Sequence, residues 1–268
     1  MKRRVATALV GVPLIAAAIW FGNPWYPLLI AMLATLASYE FFRMAQSRAA
    51  PLTYWGIFGA LLLTLSPLYP GSTRAVSPPL LVMAAIMVTS LSWLVLRSRR
   101  EQAVHDWAWT LAGMLYTGFL LSFLMALRGL EHGLGWTFLA IFTAFAADTS
   151  AFFIGKSLGK HKLAPTISPA KTWEGLVAGL AGASIASLLL TAVFDLPLNI
   201  GQALAVGLLI GIAATLGDLT ESLIKRNLGV KDSERWLPGH GGILDRFDSV
   251  IFSGVAVYFY AVGLEMLS

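Results

Sequence analysis

Residues Ser222–Asp248 read S-L-I-K-R-N-L-G-V-K-D-S-E-R-W-L-P-G-H-G-G-I-L-D-R-F-D. The stretch sets Lys225, Arg226, Lys231, Arg235 and Arg246 among Asp232, Asp245 and Asp248, around a Pro-Gly-His-Gly-Gly turn. Apolar runs flank it, each of the length that crosses about 30 Å of hydrocarbon. Dense charge of both signs between two such runs points to a membrane protein that handles a polyanion with help from a divalent metal. The remainder agrees: 57% of the 268 residues are hydrophobic, 12% are charged, and the mean hydropathy is +0.73. A soluble domain of this composition would need long uncharged core helices, which soluble cores seldom contain.

Working outward, the apolar windows predict about nine spanning helices. They are Val5–Phe21, Tyr26–Met44, Tyr54–Tyr69, Pro79–Leu96, Trp107–Leu127, Leu134–Ile154, Trp173–Phe194, Ile200–Ile224 and Ser249–Leu267. The third is short. The expected fold class is therefore all-α, a polytopic integral membrane protein with a single membrane domain over 1–268. Its 1–130 part reads as scaffold or lipid-facing wall, and 131–268 as the part that carries the chemistry. The start, Met1-Lys2-Arg3-Arg4 before an apolar run, resembles a signal peptide, but the run continues through Trp20-Phe21, so an uncleaved first span is expected. With the N-terminus in the cytoplasm and alternating loops, every Lys and Arg except Arg74 and Arg128 falls on the cytoplasmic side. That asymmetry is the one expected of a cytoplasmic (inner) membrane protein and favours an odd number of spans. The candidate site then gathers at the cytoplasmic face.

Asp148 lies near the end of an apolar run, where an ionised carboxylate must be paired, solvated or bound to metal. The plain alternative is an interfacial Asp bonded to Thr149 or Ser150. Asp218 sits similarly in A-T-L-G-D-L-T-E-S-L-I-K-R, and on a helix Asp218, Glu221, Ser222 and Lys225 share one face. A surface ion-pair network at a helix end is the alternative there. Gly217 beside Asp218 allows close backbone approach. Asp245 and Asp248, at i and i+3, give a second carboxylate pair just before the last span. Carboxylates from different helices with open positions suit Mg²⁺, which shares its shell with phosphates and water. The segment G-K-S-L-G-K-H-K-L-A-P-T-I-S-P-A-K-T-W-E-G, 155–175, supplies Lys156, Lys160, Lys162 and Lys171. Positive-inside decoration would also explain those lysines. Ser168-Pro169 leading to a helix start with Thr172 as N-cap makes Lys171 and that helix end a natural phosphate seat.

The glycines of the 238–242 turn expose backbone N–H groups to an anion. Without a P-loop lysine motif or a G-x-S-x-G elbow, an ATPase or serine hydrolase is disfavoured. Without cysteine, disulfides and thiolate metal sites are excluded. Small residues every four positions, Gly175, Gly179, Ala183 and Gly207, Gly211, mark close helix packing, internal or in a homodimer.

At these residues the chain resembles the phosphatidate cytidylyltransferase (CDP-diacylglycerol synthase) family. That family's signature runs S-x-apolar-K-R, then K-D, then P-G-H-G-G-apolar-x-D-R-apolar-D, and Ser222–Asp248 follows it almost throughout. The G-K-H-K-L-A-P-T-I-S-P-A-K-T-W-E-G segment is also similar to the family. Glu234 stands where a small residue is usual, and Ala170 where a second Lys is common. The resemblance implies that phosphatidate and CTP react to CDP-diacylglycerol and pyrophosphate, in phospholipid biosynthesis, with membrane lipid as partner and no nucleic acid. It implies Mg²⁺ on Asp218 and Asp245, with Asp148 or Asp248 as a further ligand, and leaves room for a second metal or a monovalent cation. Asp218, Asp245, Asp148, Lys171 and Lys225 would form the catalytic set. Lys160, Lys162, Ser168, Arg226, Lys231, Asp232, His240, Gly241, Gly242 and Arg246 would bind substrate. His240 would position a ligand rather than act as a base. A CTP-dependent transferase acting on another lipid is the nearest rival. A cation-coupled transporter is a more distant one, because the polar residues cluster at one face instead of spreading through membrane depth.

Overall fold

In the computed structural model, which describes residues 2–69, 77–97, 101–230 and 242–266, each expected span coincides with a helical segment. In chain order these are α1 (Lys2–Phe21), α2 (Trp25–Ala45), α3 (Thr53–Leu65), α4 (Pro78–Arg97), α5 (Ala103–Met114), α6 (Leu120–Arg128), α7 (Gly133–Leu158), α8 (Trp173–Val193), α9 (Ile200–Asn227) and α10 (Leu244–Glu265). A π-helical turn, Leu115–Phe119, joins α5 to α6 in one continuous segment. Among the described residues seven segments are long and apolar enough to cross a membrane, while Leu9–Phe21 and Thr53–Leu68 are shorter apolar helices.

Several boundaries differ from expectation, and three of them shape the site for one reason. Hydropathy marks the stretch that sits in hydrocarbon, whereas helical hydrogen bonding continues into polar sequence wherever caps allow it. Thus α7 runs on to Leu158 and α9 to Asn227, and α10 begins at Leu244 rather than Ser249. Asp245 and Asp248 are therefore within the start of the last helix, not before it. The all-α expectation also has an exception. The 155–175 segment forms an antiparallel hairpin of β1 (Lys162–Ala164) and β2 (Ser168–Thr172), with Lys162 opposite Thr172 and Ala164 opposite Ser168.

Packing follows the small residues. On α8 the ridge Gly175, Gly179, Ala183, Ser187 and Thr191 is buried, while Val177, Ile185 and Leu189 point outward. This is the pattern of a lipid-facing helix, with small residues inside and large apolar ones outside. A Cβ at Gly175 would stand 2.9 Å from the Ala151 carbonyl oxygen, so α7 and α8 lie nearly backbone to backbone. Gly207 and Gly211 let α9 approach Ser184, Ala183 and Leu180 of α8 in the same way. These glycines serve contacts inside the chain. The last helix is central: α10 packs on α9 and α7 and also on α6 and α2 of the N-terminal part.

Local sequence sets the ends of α9. It starts with a reciprocal cap, Asn199 Oδ1 accepting from Gln202 N and Asn199 N donating to Gln202 Oε1, each at 2.9 Å. It ends at Gly229, whose φ of +74° suits glycine, with Val230 N donating to the Lys225 carbonyl at 3.0 Å. In the N-terminal part, Ser38 on α2 and Thr117 in the π turn share a fully buried 2.6 Å hydrogen bond. With no water to compete, that bond fixes α2 against the α5–α6 segment.

The natural chain has no cysteine, so single introduced cysteines report sidedness cleanly. With Lys160→Cys and Glu131→Cys, at opposite ends of α7, an impermeant maleimide applied to sealed right-side-out vesicles should label only the Glu131→Cys protein. Inside-out vesicles should reverse the result.

Candidate active site

Two helices must come unusually close to bring the carboxylates together, and Gly217 is where they do. A Cβ there would collide with the Asp248 carbonyl and crowd the Ser249 Cα, so only glycine lets α9 lie against the start of α10. Beside this crossing, Lys225 Nζ lies 2.5 Å from Glu221 Oε2, one turn away on α9, and 2.5 Å from Asp245 Oδ1 on α10. Glu221 is 2% exposed, and Lys225 is the polar partner that its buried Oε2 meets. Asp245 is fixed further by the Gly242 amide, which donates to its Oδ2 at 2.9 Å. Asp248 is buried, and its Oδ1 accepts from Ser249 N at 2.7 Å.

The second half of the site comes from α7, the hairpin and the start of α8. Lys171, at the end of β2, reaches Asp218 Oδ2 at 2.8 Å. Asp218 Oδ1 accepts a long 3.4 Å bond from Ser222. Thr172 caps α8 as expected, accepting from Gly175 N at 3.1 Å. Glu174, in the first turn of α8, accepts from His161 N at 3.2 Å and meets His161 Nδ1 at 2.6 Å, which closes the base of the hairpin. Asp148, half-buried on α7, lies within electrostatic reach of Asp218, Lys171 and Arg246. Asp248 likewise senses Asp218, Asp148 and Lys171. Carboxylates from α7, α9 and α10 thus lie within electrostatic reach of one another, with Lys171 beside Asp218.

Other residues expected in the site take varied places. Lys225 was expected at a phosphate, and in the structure it is half-buried and paired with Glu221 and Asp245. Gly242 was expected to offer its amide to an anion, and that amide is held by Asp245. Arg226 is exposed, and its Nε donates to the Ile167 carbonyl in the hairpin turn at 3.3 Å. Lys160, Lys162 and Arg246 are exposed and Ser168 is half-buried on β2. Lys231, Asp232, His240 and Gly241 lie outside the described residues, as do Glu234 and Arg235.

One participant went unnoticed in the sequence. Glu40 on α2 is 1% exposed and accepts from Ile243 N and Leu244 N, each at 2.8 Å. The available signal was an isolated carboxylate in the apolar run L-A-S-Y-E-F-F. A second is Tyr116 in the π turn, whose buried hydroxyl has no hydrogen-bond partner among the described residues. Tyr116 senses Asp248, Glu221, Asp218 and Asp245 electrostatically.

The donor set suits a hard cation. Among the described residues no three His, Cys, Asp or Glu side chains form a ready coordination cage. Magnesium does not need one: it takes one or two carboxylates, keeps waters and shares its shell with substrate phosphates. The available donors are all carboxylate oxygens, and Glu221 Oε1 is buried without a partner among the described residues. The residues present therefore fit a magnesium ion completed by substrate.

The family model described as "Cytidylyltransferase family" matches residues 2–263. The chain is 37% identical to a phosphatidate cytidylyltransferase of Staphylococcus haemolyticus, over 94% of this chain and 95% of that protein. It is 32% identical to a phosphatidate cytidylyltransferase of Bacillus subtilis, over 97% of each chain. With a chloroplastic phosphatidate cytidylyltransferase of Arabidopsis thaliana it shares 33% identity, over 96% of this chain and 72% of that one.

Two substitutions test the geometry. Gly217→Ala should destabilise the purified protein by about 1–3 kcal/mol, read from its thermal unfolding, because the added methyl group forces α9 and α10 apart. Lys225→Met should lower stability by about 3–5 kcal/mol by leaving two carboxylates uncompensated. Adding Glu221→Gln to Lys225→Met should restore part of that loss.

Proposed function

The chain belongs to the cytidylyltransferase family, and we propose that it transfers the cytidylyl group of CTP to phosphatidate, giving CDP-diacylglycerol and pyrophosphate. The relatives named above carry that substrate in their names. The observation that best supports the reading in this chain is the Lys171–Asp218 pair beside Asp148 and Asp248. It places an exchangeable cation next to converging carboxylates, which is what a site for a triphosphate and a lipid phosphate requires. The site faces the cytoplasm, where CTP is available, and phosphatidate reaches it sideways from the bilayer of the cytoplasmic membrane.

A phosphatidate oxygen attacks the α-phosphorus of CTP in line. The new P–O bond forms as the bond to the β-phosphate bridging oxygen breaks, and pyrophosphate leaves with that electron pair. A phosphate monoester is already largely ionised near neutral pH, so no enzyme nucleophile and no strong base is required. Lys171 exchanges Asp218 for a substrate phosphate and neutralises charge that grows in the transition state. Arg226 and the hairpin lysines Lys160 and Lys162 attract and orient the triphosphate. Lys225 bridges Glu221 and Asp245 and holds both in place. Magnesium, held by Asp218 and Asp245 with Asp148 or Asp248 as a further ligand, would supply charge neutralisation on the phosphates.

The test uses purified protein in detergent with phosphatidate, radiolabelled CTP and Mg²⁺. Wild type should form a labelled CDP-lipid, and Asp218→Asn and Asp245→Asn, folded by their thermal transitions, should be slower by about a hundredfold or more. Chelation should abolish the product and added Mg²⁺ should restore it. A wild-type protein that binds CTP but leaves phosphatidate unreacted would move the assignment to another lipid.

A further inference from the structure

We propose that Glu40, far from the site in sequence, is the positioning residue that holds Asp245 and Asp248 in working geometry. The inference rests on the reading of those two aspartates as site residues. Glu40 is the only acidic residue among the first 100 positions. A carboxylate buried to 1% in an apolar protein survives only where strong donors meet it.

Those donors are the first amides of α10. Ile243, the residue before that helix, supplies no side-chain cap, so the leading N–H groups would otherwise have no partner. Glu40 takes two of them, Oε1 from Ile243 and Oε2 from Leu244, each at 2.8 Å. The preceding amide, Gly242 N, is taken by Asp245. Three successive amides at a helix N-terminus, a setting that ordinarily invites phosphate, are thus all held by carboxylates of the chain itself. A two-point hold fixes both the rotation and the rise of the first turn, and Asp245 follows directly on Leu244. The hold is rigid at its other end too. Phe41 and Phe42 beside Glu40 are buried, and the Ser38–Thr117 bond ties α2 to the π turn. The N-terminal part is therefore a component of the site through α2, not only a wall around it.

Glu40→Gln isolates this role. The amide keeps one acceptor oxygen but turns an NH₂ group toward a backbone N–H, so one of the two holds is lost with little change in volume. Asp106→Asn is the matched control. Asp106 is also a buried carboxylate that accepts from a backbone amide, Ala50 N at 2.8 Å, but it lies outside the carboxylate cluster. Three quantities are measured on each purified protein: hydrogen exchange over residues 242–250, thermal unfolding, and kcat with KM for CTP. Glu40→Gln should exchange faster over 242–250 and lose about 10–100-fold in kcat, with KM for CTP within about threefold of wild type. Asp106→Asn should unfold at lower temperature with wild-type exchange at 242–250 and wild-type kcat. If Glu40→Gln does not fold, Glu40→Asp, one methylene shorter with both oxygens kept, is carried through the same measurements. Wild-type exchange at 242–250 and wild-type kcat per folded molecule would overturn the proposal and leave Glu40 a stabilising residue only. If wild type makes no CDP-lipid, the functional reading fails, and the exchange result alone decides whether Glu40 positions the helix.

Discussion

Lys225 sits between Glu221 and Asp245, and most of the site's architecture depends on that one ammonium. Charges buried in an apolar protein gain nothing from water, so each must find an opposite charge or a set of donors within hydrogen-bond reach. Lys225 meets this need for a carboxylate on its own helix and for one on the next. The arrangement is possible only because Gly217, two turns earlier on α9, lets the start of α10 come into backbone contact. Charge compensation and close packing are here one requirement, because a wider helix separation would leave the lysine short of one partner.

The same rule explains how the remaining charges are arranged. Lys171 answers Asp218, Glu40 takes the first amides of α10, Gly242 N serves Asp245, and Glu174 holds the hairpin through His161. Some of these partners are replaceable and some are not. Glu40 is buried and Lys225 half-buried, and each is held by two protein partners, so they define a scaffold. Lys171 pairs with Asp218, and Lys160 and Lys162 of the hairpin are exposed. A site that receives a polyanion needs both kinds: fixed charges that keep the carboxylates placed and mobile cations that answer the substrate.

The hairpin shows how a small element changes the use of a loop. A plain basic loop would scatter its lysines over the surface. Pairing Lys162 with Thr172 brings the strand end at Lys171 directly into the α8 cap, so Lys171 leaves the sheet pointing at α9. The Arg226 contact to the Ile167 carbonyl fastens the hairpin tip to the same helix. In this way β1 and β2, α8 and α9 fix one cation beside Asp218.

The membrane-spanning segments, the small-residue ridges, the Thr172 cap and the shared helix face of Asp218, Glu221 and Lys225 were legible from the residues, because hydropathy, four-residue spacing and helix-face geometry are local properties. The extra turns of α7, α9 and α10 were not, since hydropathy is blind to helix that continues beyond hydrocarbon. The 162–172 hairpin was hidden because its strands are short and its pairing is decided by what caps α8. The partners of Lys225 and the role of Glu40 lay furthest from view. A lone carboxylate in an apolar run announces that it has a partner without saying which, and the amides it holds lie some two hundred positions along the chain. Composition and periodicity fix where a chain meets the membrane and which faces of its helices are small or charged. Which charge meets which depends on how the helices cross, and that is a property of the packed chain alone.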